Sequence, residues 1–221
     1  MRQGKFLLAS NSPRRREIVS WTNWDISSCS PRVDETVRAG ESPRAYVLRV
    51  AREKAEKTTF SSDVRFIFAA DTIVVFENEI MGKPRDAEHA RRMLEKMRNR
   101  QHAVLTAIAV RNCKNRAMTA DLCETPVAMR AYTDAEIAAY VDSADPLDKA
   151  GAYAIQNEGF HPVEKFHGCY ASVMGLPLCH LERTLRSFDT YQHTDLSKIC
   201  QNNLKYKCPI TDRVMAGEQI G

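Results

Sequence analysis

The clearest hydrophobic pattern in the chain is the run Phe66-Ile67-Phe68-Ala69-Ala70-Asp71-Thr72-Ile73-Val74-Val75, apolar at nearly every position. A run without alternation predicts a strand buried on both faces. Asp71 interrupts it. A charged carboxylate in a buried strand is costly unless a cation or a metal pairs with it, so Asp71 is the most conspicuous functional candidate in the sequence. A shorter apolar stretch, Phe6 to Ala9, reads as another buried strand, and Trp24 to Ser28 as a short one. His102 to Arg111 and Met118 to Tyr132 flank a turn at Asn112 to Asn115 and predict a β-hairpin, with a smaller hairpin from Glu77-Asn78-Glu79 into Ile80-Met81. Asp148 to Gln156 is expected to lead from a loop into a strand, and His167 to Val173 to form a further strand.

The polar punctuation between these runs marks helix starts. Ser12-Pro13 and Ser42-Pro43 each read as an N-cap followed by proline at the first helical position. The second of these helices is predicted from Pro43 to about Lys57, with Val47, Val50, Ala51 and Ala55 near one face and Lys54 at its edge. Asp86 is the expected cap of a helix from Ala87 to about Met97, whose apolar face is Ala90, Met93, Leu94 and Met97. Thr133-Asp134-Ala135-Glu136 has the form of a capping box and predicts a helix through Val141. Leu176-Pro177-Leu178 opens the last predicted helix, to about Phe188.

Composition narrows the class. The 221 residues suit one domain or two small lobes sharing a core. A net charge of +4 does not by itself imply a nucleic-acid partner. No stretch is long and apolar enough to span a membrane, and the N-terminus has no signal-peptide pattern. Seven cysteines with no C-x-x-C pair fit free thiols in a reducing compartment, so the protein is expected to be cytoplasmic. The six histidines show no zinc spacing.

Several residues carry two readings on pattern alone. Arg14, Arg15 and Arg16 fall in the first turn of a helix, where the partial positive charge of the N-terminus disfavours cations. They form either a solvated basic turn or, with the exposed amides and the hydroxyls of Ser10 and Ser12, a phosphate cradle. Asp34 and Glu35 sit in a polar loop, as a solvated pair or as ligands for a hard metal. Lys54 either snorkels to water or delivers an ammonium into a cleft. Lys83 is an exposed turn lysine or a phosphate ligand beside the rigid Pro84, and Gln156 is a surface glutamine or a reader of a base edge.

Taken together, the motifs resemble the Maf family of nucleoside triphosphate pyrophosphatases. They are Ala9-Ser10-Asn11-Ser12-Pro13-Arg14-Arg15, Val33-Asp34-Glu35, Ala51-Arg52-Glu53-Lys54-Ala55, Ala70-Asp71-Thr72, Lys83-Pro84-Arg85-Asp86 and Gly151-Ala152-Tyr153-Ala154-Ile155-Gln156, in that order. The resemblance covers about Phe6 to Phe188, with residues 1–189 as a Maf-like domain and 190–221 as a C-terminal tail without a counterpart. It implies an α/β fold, a two-lobed mixed sheet with flanking helices around a central cleft, similar to the inosine triphosphatase fold. It also implies hydrolysis between the α and β phosphates to a nucleoside monophosphate and pyrophosphate, with Mg or Mn as cofactor. By position, Ser10, Arg14, Arg15, Lys54 and Lys83 match phosphate-binding residues. Glu35 and Asp71 match metal-binding acids, with Asp71 as the catalytic base. Arg14, Thr72 and Gln156 match positions that set base choice.

The Gly-Ala-Tyr-x-Ile-Gln form resembles the branch acting on dTTP and UTP rather than the one acting on 7-methyl-GTP. After Gln156 the family's glycine-rich run is replaced by Asn157-Glu158-Gly159-Phe160, which bears on the shape of the base pocket. The expected partner is a nucleoside triphosphate. A membrane is not expected, nucleic acid is disfavoured, and a homodimer is compatible with the resemblance. The alternatives are a 7-methyl-GTP or other modified-nucleotide pyrophosphatase of the same fold and, from another class, a non-enzymatic nucleic-acid-binding regulator of cell division and septum formation. That class leaves Asp71 and Glu35 unexplained, since acids repel a phosphate backbone.

Overall fold

Strand β3 (Val64–Phe76) is the hub of a six-stranded mixed sheet in a computed structural model that describes residues Gly4–Ile220. The strand order is β2 (Ile26–Cys29), β1 (Lys5–Ala9), β3, β5 (Gln101–Asn112) and β6 (Met118–Ala128), with β4 (Glu79–Met81) also pairing with β3. β1 runs parallel to both β2 and β3. β3, β5 and β6 form an antiparallel meander, and the β3–β4 pair is antiparallel too. The sheet does not close into a barrel.

Side chains alternate across a strand, and β3 divides accordingly. Phe66, Phe68, Ala70, Val74 and Phe76 belong to one buried cluster, and Ile67, Ala69 and Ile73 to the other. The second cluster is roofed by α2 (Pro43–Lys57), through Val47, Val50, Ala51 and Ala55. The first is larger. It takes in α1 (Pro13–Ser20), α3 (Ala87–Met97), α4 (Asp134–Asp142), α5 (Tyr170–Met174) and α6 (Leu178–Arg186). Asp71 and Thr72 are consecutive, so one faces the α2 side and the other the α5 side.

The caps fall where the polar punctuation places them. Ser12, Ser42, Asp86 and Thr133 each accept an N–H bond at a helix start, and Thr133 and Glu136 complete the capping box. Two expected strands are absent. Asp148 to Gln156 lies in two 3₁₀ turns, Asp145–Asp148 and Ala150–Ala152, followed by irregular chain and a turn. Ala152 to Ile155 is buried, but Gly151 and Ala152 both have positive φ, and the Ala154 N–H bonds to the Tyr140 hydroxyl instead of a strand neighbour. His167 to Val173 becomes a loop ending in α5. A short apolar run fits either state, and here left-handed Gly175 closes a helical turn by donating to the carbonyls of Ala171 and Ser172.

The helix at Leu178 is not the last. α7 (Leu196–Leu204) and α8 (Thr211–Met215) pack on α6, burying Leu196, Cys200, Ile210 and Val214 in the first cluster. Arg183 grips Asp121 with two hydrogen bonds of 2.8 Å and also donates to the Val214 carbonyl, tying α6 to β6 and α8. Residues 190–220 thus share the core of the preceding chain. Among the described residues no helix is long and apolar enough to cross a membrane.

Candidate active site

A cleft of about 670 Å³ opens where β1 ends and β3 passes its midpoint. Ser10, Arg14, Arg15, Glu35, Lys54, Asp71, Thr72, Lys83 and Gln156 all line it. They come from the β1–α1 turn, the first turn of α1, the β2–α2 loop, α2, β3, the β4–α3 loop and the turn after the second 3₁₀ segment. The fold therefore gathers every site residue named from the sequence.

The start of α1 is built around Arg15. Its Nε donates to the Gly175 carbonyl at 2.8 Å, Nη1 to Ser10 Oγ at 3.1 Å and Nη2 to Thr72 Oγ1 at 3.0 Å. Three of the five guanidinium N–H groups are thus used within the protein, leaving two for a ligand. Burial is the main cause of an Arg15 pKa below the ordinary arginine value. The charge of Arg14 adds to this, and those of Asp71 and Glu35 oppose it. A side chain at Gly175, where φ is +114°, would crowd Arg15 Nε at 3.3 Å and Thr72 Oγ1 at 3.4 Å. Ser10 Oγ accepts from Arg15 and from the Ser12 N–H at 3.2 Å. With both lone pairs occupied, the Ser10 hydroxyl can only donate, which suits a phosphate oxygen.

On the α2 side, Asp71 is not an isolated carboxylate. Lys54 Nζ lies 2.8 Å from Asp71 Oδ1 and 2.7 Å from Glu35 Oε1, bridging the two acids. Of the two readings open for Lys54, the structure has the ammonium in the cleft. The loop carrying Glu35 is clamped by Arg49, which donates to the backbone oxygens of Asp34 at 3.1 Å and Thr36 at 3.0 Å. Arg49 also forks onto Glu41 at 2.7 and 2.9 Å, and this contact holds the Glu41 carboxyl down to about 2. Tyr46 donates to the Glu35 carbonyl at 2.8 Å, and burial foremost, with the nearby Asp71 and Glu35, pushes its hydroxyl up to about 12.

The donor set fits a hard cation that shares its coordination with substrate. Among the described residues no group of three or more Asp, Glu, His or Cys side chains encloses a metal. Mg²⁺ characteristically takes one or two carboxylates and completes its shell with water and phosphate oxygens. Glu35 and Asp71, already converging on one cationic group, match that requirement.

The opposite wall carries Lys83, Asp148, Lys149 and Gln156. Gly151 has φ +71°, and a Cβ there would lie 2.9 Å from Val74, so this turn can close on β3 only with glycine. Lys149 binds Asp148 Oδ1 at 2.6 Å and Asp145 Oδ1 at 2.9 Å. Burial raises the Asp148 pKa, but the bond from Lys149 and the charges of Lys149, Arg14 and Lys83 outweigh it and leave the net value low. Arg14, Lys83 and Asp148 are thus electrostatic neighbours. Gln156 is exposed on its turn.

Sequence reasoning missed Arg49 and the Asp148–Lys149 pair. The adjacency of Asp148, Lys149 and Gly151 was visible, but no spacing rule identifies a residue that clamps a loop fifteen positions away.

The profile of Maf-like proteins matches residues 5–188. A protein of Geotalea uraniireducens named dTTP/UTP pyrophosphatase is 44% identical over 184 residues, covering 83% of this chain and 95% of its own. One of the same name from Anaeromyxobacter dehalogenans (strain 2CP-1) is 46% identical over 184 residues, covering 82% and 93%. Another, from Shewanella oneidensis, is 43% identical over 187 residues, covering 81% and 95%. With a basic helix start and a bridged pair of acids around one cleft, and with these relatives along its length, the chain belongs to the Maf family.

Proposed function

We propose that the protein hydrolyses nucleoside triphosphates, dTTP and UTP above all, at the α–β phosphoanhydride to give the monophosphate and pyrophosphate. The observation that carries this is the Glu35–Lys54–Asp71 bridge beside a phosphate-binding helix start. Relatives named dTTP/UTP pyrophosphatase support the choice of substrate. Arg14, Lys83 and the two remaining N–H groups of Arg15 neutralise the β and γ phosphates, and the Ser10 hydroxyl donates to one of their oxygens. Lys54 holds Asp71 through Oδ1, and the carboxylate takes a proton from the attacking water on Oδ2. Glu35 and Asp71 would hold Mg²⁺ or Mn²⁺, which would supply charge neutralisation and Lewis-acid polarisation of the phosphoryl group. Gln156 meets the base edge with an amide that has both a donor and an acceptor.

The test is a screen of nucleoside triphosphates with and without inorganic pyrophosphatase in the assay. Orthophosphate that appears from dTTP and UTP only when pyrophosphatase is present supports the proposal. Release without it, or a preference for 7-methyl-GTP or inosine triphosphate, contradicts it.

A further inference from the structure

Five of the seven cysteines lie in the larger buried cluster or pack against it, where the tail meets the preceding chain. They are Cys123 in β6, Cys169 at the start of α5, Cys179 in α6, Cys200 in α7 and Cys208 between α7 and α8, all free thiols. Tyr206 pins the Cys208 segment to the Cys169 segment. Its hydroxyl donates to the Gly168 carbonyl at 3.0 Å and accepts from the Gly168 N–H at 3.3 Å, and its ring packs on Phe166 and Tyr170. Gly168 is seated tightly, since a Cβ there would lie 2.6 Å from Thr125 Cγ2 in β6. Cys208 follows Tyr206 by two positions. Its N–H donates to Gln201 Oε1 at 3.1 Å, and its Sγ lies 4.0 Å from the Gly168 carbonyl oxygen. Cys169 is the residue after that glycine, and its thiol is hydrogen-bonded to both Cys208 and Cys123.

We infer that Cys208 is a site of oxidation by hydroperoxides and Cys169 its resolving thiol, the two forming a reversible disulfide that fastens the tail to the loop leading into α5. The two thiols differ as such a pair requires. Cys208 is half-buried and open to a small oxidant, whereas Cys169 is buried. The contact with Cys169 holds the Cys208 thiol down to about 6, which makes it mostly thiolate at neutral pH. Hydrogen bonds to Cys123 and Cys208, together with burial, push the Cys169 thiol up, so it keeps its proton until it is needed. Cys123 also touches Cys169, but it is fully buried in β6, away from a soluble peroxide. The Cys208 thiolate attacks one oxygen of hydrogen peroxide. The O–O bond breaks, hydroxide leaves with its electron pair, and a sulfenic acid remains. The Cys169 sulfur then attacks the sulfenic sulfur. The S–S bond forms as the S–O bond breaks, and the departing hydroxide takes the Cys169 proton and leaves as water. The two sulfurs together lose two electrons, and one peroxide is reduced to water.

The experiment treats the reduced full-length protein with hydrogen peroxide at neutral pH, blocks the remaining thiols with N-ethylmaleimide, and maps the peptides by mass spectrometry without reductant. A linked peptide joining Cys169 to Cys208, lost on treatment with dithiothreitol, is the expected product. Cys208→Ser should form no such link and should slow thiol loss by about tenfold or more, since the thiolate is gone and the remaining partner is a buried, protonated thiol. Cys169→Ser keeps a hydrogen-bond donor beside Cys208 but cannot resolve the sulfenic acid, so dimedone should label Cys208 in this variant and not in the fully oxidised wild type. If serine is not accommodated at position 169, Cys169→Ala carries the same expectation for dimedone. Three results overturn the inference: a link between Cys123 and Cys169 in place of the expected one, no linked peptide once the thiols have been oxidised, or thiol loss in Cys208→Ser at the wild-type rate.

Discussion

Asp71→Asn separates chemistry from folding at the centre of the site. Breaking a buried ion pair costs about 3–5 kcal/mol when it strands the other charge. Lys54 is not stranded here: its side chain is 13% exposed, Asp71 is 12% exposed, and Glu35, 56% exposed, remains on Lys54 at 2.7 Å. The asparagine Oδ1 can still accept from Lys54. The loss of stability should therefore stay within about 1 kcal/mol, or roughly 2–4 °C in Tm for a chain of this size. In the proposed mechanism turnover depends on this carboxylate to take the proton, and removing a general base costs about 100- to 10,000-fold. Steady-state kcat for dTTP and calorimetric Tm on the same preparation give both numbers. A variant that keeps more than about a tenth of wild-type kcat would show that Asp71 is not the base. A Tm lowered by more than about 10 °C would make its carboxylate a structural element instead.

Chelation should abolish turnover and Mg²⁺ or Mn²⁺ restore it, with Tm moving by less than about 2 °C, because in the proposed mechanism the metal would share its shell with substrate and would not be part of the fold; full activity in EDTA with metal-free substrate would contradict this. His102 is buried against Tyr153, and burial pushes its pKa down from 6.5 to about 4. The unfolded chain then binds more protons between those values, so stability is lost as pH falls from about 6.5 to about 4, by about 3 kcal/mol. Denaturant titrations should show that His102→Gln flattens this limb; parallel losses in parent and variant would refute the assignment. The Cys169 contact holds the Cys208 thiol down to about 6, so iodoacetamide should modify Cys208 ahead of the other cysteines, with a pH midpoint near that value. A fast phase that survives Cys208→Ser would assign it elsewhere.

What the sequence conveyed and what it concealed follow the range of the forces involved. Helix starts were legible at Ser12, Ser42, Asp86 and Thr133 because a cap is a local hydrogen bond over three residues. Asp71 stood out because burying a charge violates a rule that can be read from its immediate neighbours. Lys54 was named as a candidate too, but its pairing with Asp71 was not legible, since it reaches the carboxylate across the α2–β3 interface. The shape of the cleft wall before Gln156 was misread for a related reason. Ala152 to Ile155 is apolar like a strand, but it is buried by packing around Gly151 and Tyr140 with no strand beside it. The tail's two helices gain their stability against α6, through Leu196, Cys200, Ile210 and Val214, and short helices of that kind have little intrinsic signal.

The central claim is water attack at the α-phosphorus of a pyrimidine triphosphate, assisted by Asp71. Hydrolysis of dTTP in ¹⁸O-labelled water, followed by mass spectrometry of the products, tests it most directly. The account predicts one ¹⁸O in dTMP and unlabelled pyrophosphate. Label in the pyrophosphate, or dTDP and orthophosphate as the products, would contradict it.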